Sequence, residues 1–511
     1  MAKMTDQTYA GGGVEKIPAD AVNSGANRPL YAARVKIFPK SVDGFYRRMK
    51  WAILIASLAI YWITPWIRWD RGPSAPDQAV LVDLGSRRFY FFFIEIWPQE
   101  FYYVAGLLIM AGLGLFLITS VLGRAWCGYA CPQTVWTDLY MWVERLVEGD
   151  RNARMRLEKA PWTFEKIRKR GTVHALWLLI AVATGGAWVF YFADAPTLLR
   201  DLVTLNAAPV AYTTIGILTA TTYIFAGFMR EQVCTYMCPW PRIQGAMLDE
   251  DSLIVTYNAW RGEPRTRGQK KAAAQGLDAG DCIDCNACVS VCPMGIDIRD
   301  GQQLECITCA LCIDACNDVM TKIDRPRELI GYTTLRDYEA HAQDARKNGR
   351  AAATADQRRI GVSHIVRPRT MLYFALWSMI GLAMVFGLAT RGRLDVNVLP
   401  DRNPLFVTLA DGSIRNGYTV KVLNMQPELR SFTIGVEDLP NAHLRLAEGG
   451  DNGGDAIRLD VEPDRLREIK VFVSLPREDL SDSRRDFRFV VRDLDSGETA
   501  RAATLFHGPE Q

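Results

Sequence analysis

Five stretches of apolar residues, near 51–67, 101–122, 173–193, 210–229 and 370–390, decide most of what this chain can fold into. A bilayer core about 30 Å thick is crossed by about 20 residues of helix at about 1.5 Å rise each. Inside lipid the backbone must satisfy its own hydrogen bonds, so each stretch is expected to be a membrane helix. Composition alone hides this, because 49% hydrophobic and 23% charged residues over 511 positions are ordinary soluble proportions. The apolar residues are concentrated in the five windows, whereas 240–370 and 394–511 are strongly polar, so a purely soluble fold is excluded. A net charge of +3, from 60 Lys+Arg against 57 Asp+Glu, gives no ground for nucleic-acid binding.

Charge placement carries more than charge balance. Lys36, Lys40, Arg47, Arg48 and Lys50 precede the first window, which places the N-terminus in the cytoplasm by the positive-inside rule. Residues 1–50 read as a basic segment that begins as a disordered tail, and no small-residue cleavage pattern follows the first window, so it reads as a retained anchor. The basic density of 145–170, and the Arg/Lys-rich ends of the segment between the fourth and fifth windows, are also cytoplasmic signatures. The first outer loop is the weak point, since it holds Arg68, Arg71, Arg87 and Arg88, and its aromatic run Phe89–Phe93 reads as an interfacial or re-entrant piece. Five spans then leave the C-terminus outside. The division expected is a membrane domain over 51–250, a cytoplasmic domain over 251–369, a last span over 370–390 and an outer domain over 394–511.

Within that last segment, LFVTL, YTVKVLN, SFTIGV, IRLDV, IKVFVSL, DFRFVVRD and AATLF are short β-rich runs separated by turn signals, which predicts an all-β sandwich. It contains no cysteine. All twelve cysteines lie between 127 and 316, which argues against a disulfide framework.

Eight of them form two matched runs, Cys282-x2-Cys285-x2-Cys288-x3-Cys292-Pro293 and Cys306-x2-Cys309-x2-Cys312-x3-Cys316. Each has the spacing of a bacterial [4Fe–4S] ferredoxin run, in which the fourth Cys ligates the other cluster. The expected ligand sets are therefore Cys282, Cys285, Cys288 and Cys316 for one site, and Cys306, Cys309, Cys312 and Cys292 for the second. Asn317 stands where a proline is expected, which would loosen a turn after Cys316. Zinc ribbons also use Cys-x2-Cys pairs, but two matched four-Cys runs favour a two-cluster, ferredoxin-like α+β domain.

The other four cysteines make an internal repeat, Cys127-Gly-Tyr129-Ala-Cys131-Pro132 and Cys234-Thr-Tyr236-Met-Cys238-Pro239, each just past an apolar window and each preceded by an arginine, Arg124 or Arg230. If helix continues to the second Cys, the i,i+4 spacing puts both sulfurs on one face. The following proline instead favours Cys131 and Cys238 at the start of a new helix. Thiolates there suit Cu(I) or a third iron–sulfur cluster, and spacing alone does not choose between these. His174 reads as a packed histidine, Met229 and Met237 as filler, and Gly112-x-Gly114 as a helix-packing feature. No flavin or nicotinamide motif is visible, so electrons are expected from a separate protein or from quinol.

Taken together, CGYACPQTVW (127–136), CTYMCPWPRIQG (234–245), RGEPR (261–265), IEIWPQEFYY (94–103), the paired cluster runs and the cysteine-free β domain resemble the CcoG/FixG/RdxA family. The resemblance implies an immunoglobulin-like C-terminal domain and a bacterial inner-membrane accessory protein for assembly of cbb-type cytochrome c oxidase. Its implied chemistry is reduction of Cu(II) to Cu(I) for that oxidase and its copper-delivery proteins, with Cys127, Cys131, Cys234 and Cys238 as the copper positions. A second copy of the chain is a further admissible partner. Two rival functions are a quinol-linked ferredoxin-type electron-transfer subunit and a non-catalytic copper chaperone with structural clusters.

Overall fold

The computed structural model describes residues 35–509 apart from 74, 269–273, 277, 356–363, 427, 448–453, 464 and 481. Its chain divides into two units, one running up to Ile67 and through Val80–Phe89 and Ile96–Leu382, the other made of Arg68–Ala79, Tyr90–Glu95 and the chain from Ala383 onward.

Among the described residues, five helices are long and apolar enough to cross a membrane: Phe45–Trp66, Pro98–Leu122, Phe164–Val189, Pro209–Met229 and Pro368–Thr390. Two begin well before the apolar windows. The first starts at Phe45, so the basic N-terminal segment expected over 1–50 ends earlier, and 1–34, with the expected tail, lies outside the described residues. Hydropathy excluded Arg47 and Lys50 from that helix, yet both are buried against Asp138, with Arg47 Nη1 2.8 Å and Lys50 Nζ 3.7 Å from its carboxylate. Upstream, Lys40 N–H donates to the Ser290 carbonyl at 2.8 Å, so this strap is packed rather than loose. The third helix starts at Phe164, with Thr163 as its N-cap accepting from Lys166 N–H. The fourth is α-helical over Pro209–Thr222 and continues as π-helix over Tyr223–Met229. The fifth buries none of its apolar window against the chain.

A three-stranded sheet of Val80–Asp83, Arg88–Phe91 and Ile94–Ile96 lies between the first two spanning helices, where the aromatic run reads as an interfacial or re-entrant piece in the sequence. Phe89, Tyr90 and Phe91 of that run belong to the strand Arg88–Phe91, whose side chains alternate between its two faces.

Between the fourth and fifth spans, strand Ile254–Tyr257 pairs antiparallel with Ile330–Thr333, closing the ends of the segment that carries the two cysteine runs. Inside it, helix Ala287–Val291 carries Cys288 of the first run, and helix Leu311–Lys322 carries Cys312 and Cys316 of the second. Asp314 of the second helix accepts from the backbone N–H groups of Tyr46 and Arg47, at 3.3 and 2.8 Å. A carboxylate thus sits on the positive end of the first spanning helix and ties it to the ferredoxin-like segment.

The C-terminal unit is an immunoglobulin-like sandwich. One sheet runs in the order His443–Leu446, Leu466–Leu475, Ile414–Asn424, Leu394–Pro400, with Val407–Thr408 also paired to Ile414–Asn424. The other runs Ile457–Val461, Arg430–Glu437, Arg484–Asp493, Thr499–His507. Alternate residues of both sheets, among them Tyr418, Val420, Phe432, Phe487, Phe489 and Phe506, fill the core between them. Two strands, Leu394–Pro400 and His443–Leu446, add to the seven runs visible in the sequence.

Candidate iron–sulfur and thiol centre

Each cysteine run bends by the same local device. In the first, Asp284 and Asn286 flank Cys285 with φ of 51° and 55°; in the second, Thr308 and Ala310 flank Cys309 with φ of 56° and 60°. Left-handed backbone costs an L-residue about 1–2 kcal/mol, and Ala310 has no polar side chain to offset that. Four such residues at matching positions of two loops indicate that surrounding structure imposes the shape. It wraps three cysteines of each loop around a common volume.

The fourth thiol of each group comes from the other run. Burial pushes the Cys316 thiol up to about 12, and the nearby thiolates of Cys288, Cys285 and Cys282 push the same way. Burial likewise raises Cys292 to about 12, with Cys309 and Cys306 adding to it. Cys312 is raised by burial and then by Cys309, Cys306 and Cys292. Cys288 also acts on Cys312, and Cys288, Cys292, Cys306, Cys309 and Cys312 line one small cavity, so the two groups are neighbours. Asn317 does not loosen a turn after Cys316. Helix Leu311–Lys322 runs through both residues, because no proline interrupts it, and Asn317 Oδ1 accepts from Glu328 N–H at 2.8 Å. At Cys292 the following Pro293 does end the helix, at Val291.

Cys127, Cys131, Cys234 and Cys238 form a third group. Burial raises Cys127 to about 11 against the opposing charge of Arg124, with Cys131 and Cys238 adding to the rise; burial raises Cys234 to about 12, with Cys131, Cys127 and Cys238 adding to it. The proline-driven alternative describes both motifs. Cys131 caps the helix Pro132–Glu148, its carbonyl accepting from Thr134 and Val135 N–H, and Cys238 is extended just before the helix Trp240–Met247. Cross-links hold the motifs together: Cys127 Sγ–H donates to Gln244 Oε1 at 3.0 Å, and Gln133 Nε2 donates to the Arg230 carbonyl at 3.2 Å. Gln244, six residues after Cys238, lies within the motif 234–245, whose spacing assigns it no role.

This third group rests on the second loop. Gly128 leaves no room for a side chain, since a Cβ there would lie 2.6 Å from the Ile307 carbonyl oxygen and 3.0 Å from the Cys309 backbone. Tyr129 O–H donates to the Cys309 carbonyl at 3.2 Å, and Tyr332 O–H donates to the Thr308 carbonyl at 2.7 Å. Cys127, Cys234, Ile307, Cys309 and Cys312 share one apolar cluster. The repeat is unequal in space: Tyr129 is 5% exposed, its counterpart Tyr236 59%.

Behind the motifs lies a buried ionic lattice. Arg230 Nη2 lies 2.6 Å from Glu144, which Arg154 also contacts. Although burial alone would raise it, Arg230 and Arg154 hold the Glu144 carboxyl below the usual range, and Lys50 and Arg47 do the same for Asp138. Among the described residues, no three His, Cys, Asp or Glu side chains close around a single metal ion. The thiols surround volumes instead, and all twelve are free. Soft, grouped in fours and buried or partly buried except at Cys285, the eight thiols of the two runs are the donor set that [4Fe–4S] clusters take.

Family models match the chain in three places: a 4Fe-4S dicluster domain over 229–335, a 4Fe-4S binding domain over 104–148, and an immunoglobulin-like fold found at the C-terminus of FixG over 384–509. The chain is 60% identical to the nitrogen fixation protein FixG of Rhizobium meliloti over 500 residues, 95% of each chain. It is 56% identical to protein RdxB of Cereibacter sphaeroides, covering 94% of this chain and 97% of that one. Against protein RdxA of the same organism the identity is 52%, covering 94% and 99%.

Proposed function

Because the chain belongs to the FixG/RdxA family of iron–sulfur membrane proteins, we propose that it passes electrons to Cu(II), giving Cu(I) for maturation of a cbb-type oxidase. The carrying observation is the contact of the four-thiol group with the second cysteine loop through Gly128 and Tyr129. In this reading Cys282, Cys285, Cys288 and Cys316 hold one [4Fe–4S] cluster, and Cys306, Cys309, Cys312 and Cys292 hold the other. The bound clusters supply one-electron redox chemistry. Cys127, Cys131, Cys234 and Cys238 receive the substrate copper, and their soft sulfurs favour Cu(I) over Cu(II), which draws the electron onto the metal. Arg124 offsets thiolate charge at Cys127, and the apolar cluster around both groups excludes water. The ferredoxin-like segment lies on the cytoplasmic side of a bacterial inner membrane and the sandwich on the outer side, where a domain without cysteine escapes oxidation.

A second reading makes the four thiols the ligands of a third cluster. The match of a 4Fe-4S binding domain to 104–148, which holds only Cys127 and Cys131 of the twelve cysteines, favours it. Replacing all four motif cysteines by Ala separates the two. Under the copper reading, the anaerobic protein keeps about eight iron and eight sulfide per chain, while chelator-trapped Cu(I) forms more slowly at low free copper. Loss of iron with copper reduction unchanged would sink the copper reading and support the third cluster.

A further inference from the structure

Beside the second cysteine loop lies a cavity of about 400 Å³, within the roughly 300–1,000 Å³ typical of small-molecule sites. Cys306 forms part of its wall, with Leu248, Ile254, Leu304 and Leu335 giving it an apolar lining. Leu304 is 56% and Leu335 40% exposed, an apolar surface offered to something other than the chain's own core. Two buried polar atoms of the lining residues have no hydrogen-bond partner among the described residues, the Nε–H of Arg124 and the Oε1 of Gln303. One is a donor and the other an acceptor. Each is costly to leave unpaired.

The place of the cavity narrows the ligand. Arg124 stands two residues past the second spanning helix, and Asp249, another lining residue, pairs at 2.8 Å with Arg367, which directly precedes the fifth. The cavity therefore sits at the membrane boundary. Asp249 is neutralised there by Arg367 and Arg369, and among the described residues lining the cavity Arg124 is the one basic side chain, already donating to the Leu304 carbonyl. Such a site accepts an uncharged, flat, apolar ring bearing one acceptor and one donor.

We propose that this cavity binds the headgroup of a membrane quinol, the electron donor of the protein. A quinol hydroxyl donates to Gln303 Oε1, and the opposite oxygen accepts from Arg124 Nε–H. Oxidation of one quinol to quinone breaks two O–H bonds and releases two electrons and two protons. One electron reduces each of the two bound clusters, and the protons leave to water at the rim beside Asp249 and Glu250. The inference rests on the electron-transfer reading but not on copper as the acceptor.

Decylubiquinone binding to the oxidised full-length protein in detergent, measured by equilibrium dialysis, tests it, together with anaerobic bleaching of the iron–sulfur absorbance by decylubiquinol. One quinone should bind per chain. Leu335→Trp, which fills the cavity, should weaken binding by about tenfold or more with iron content unchanged. Should that variant lose iron, Gln303→Leu, which removes the acceptor, should still weaken binding. No binding by the wild type, equal binding by a variant that retains its iron, or bleaching by NADH in place of decylubiquinol overturns the proposal. If dithionite-reduced protein reduces Cu(II) while decylubiquinone does not bind, only the quinol site fails. If decylubiquinone binds but Cu(II) is not reduced, only the copper reading fails.

Discussion

At Gly128 the missing side chain is what lets a membrane motif and a cysteine loop touch. Gly128→Ala would force a methyl group to 2.6 Å from the Ile307 carbonyl oxygen, and the atoms it meets are backbone that cannot swing aside. The expected result is displacement of the 306–312 loop, read as loss of iron and an altered EPR signal of one cluster, with the spans still inserted. Cys292 gives a complementary expectation. It lies beside Cys309 and Cys306 rather than with the loop that precedes it in sequence. Cys292→Ala should therefore damage the cluster of the 306–312 loop first, and EPR that shows the 282–288 site lost instead would reverse the assignment. Glu144 belongs to this scale too. Glu144→Ala leaves Arg230 and Arg154 buried without their shared carboxylate, at a cost of about 3–5 kcal/mol, measurable as a lower temperature of helix loss. The Glu144 and Asp138 carboxyls are held below their ordinary values, so their stabilisation is present at neutral pH and fades as pH falls below about 4. Glu148 has the opposite sign. Burial outweighs Arg170 and raises its carboxyl, so protonation relieves a cost instead of removing a gain.

Among the elements, helix Leu311–Lys322 shows what one substitution in a motif does. Asn317 in place of proline lets the helix that carries Cys316 run six residues beyond that cysteine. Asn317→Pro should break it, at about 3 kcal/mol or more, and free the Glu328 N–H that Asn317 now satisfies; cluster retention on mild heating measures the effect. The same helix indicates where sequence reading succeeds. Cysteine spacing is a strong signal because only close-set thiols reach one cluster, and the crossover it predicts is what the Cys292 replacement checks. Apolar length found all five spans, but not their true starts at Phe45 and Phe164. A charged residue neutralised by a partner about 90 positions away, as Arg47 is by Asp138, looks like a loop residue to any local count. Strand Leu394–Pro400 was missed for a related reason, since it begins four residues after a spanning helix and leaves no turn signal between. Gln244, and the inequality of Tyr129 and Tyr236, arise from tertiary packing that a repeat in sequence does not encode.

For the whole molecule, the proposed orientation is testable without purification. Reporter fusions near residue 330 should be active only inside the cytoplasm and fusions after residue 400 only outside, and two fusions reporting the same side would remove either the fifth span or the assigned direction. The contact between Tyr129 and the Cys309 carbonyl bears on how such a chain is made. Its two ends are 180 residues apart, and the third and fourth spanning helices lie between them. A ribosome delivers Tyr129 early and Cys309 only after both helices have emerged, so the seat of the second loop is finished after threading into the bilayer. Iron delivery is thereby deferred to an anchored chain, and a ferredoxin segment produced alone would lack the floor on which that loop rests.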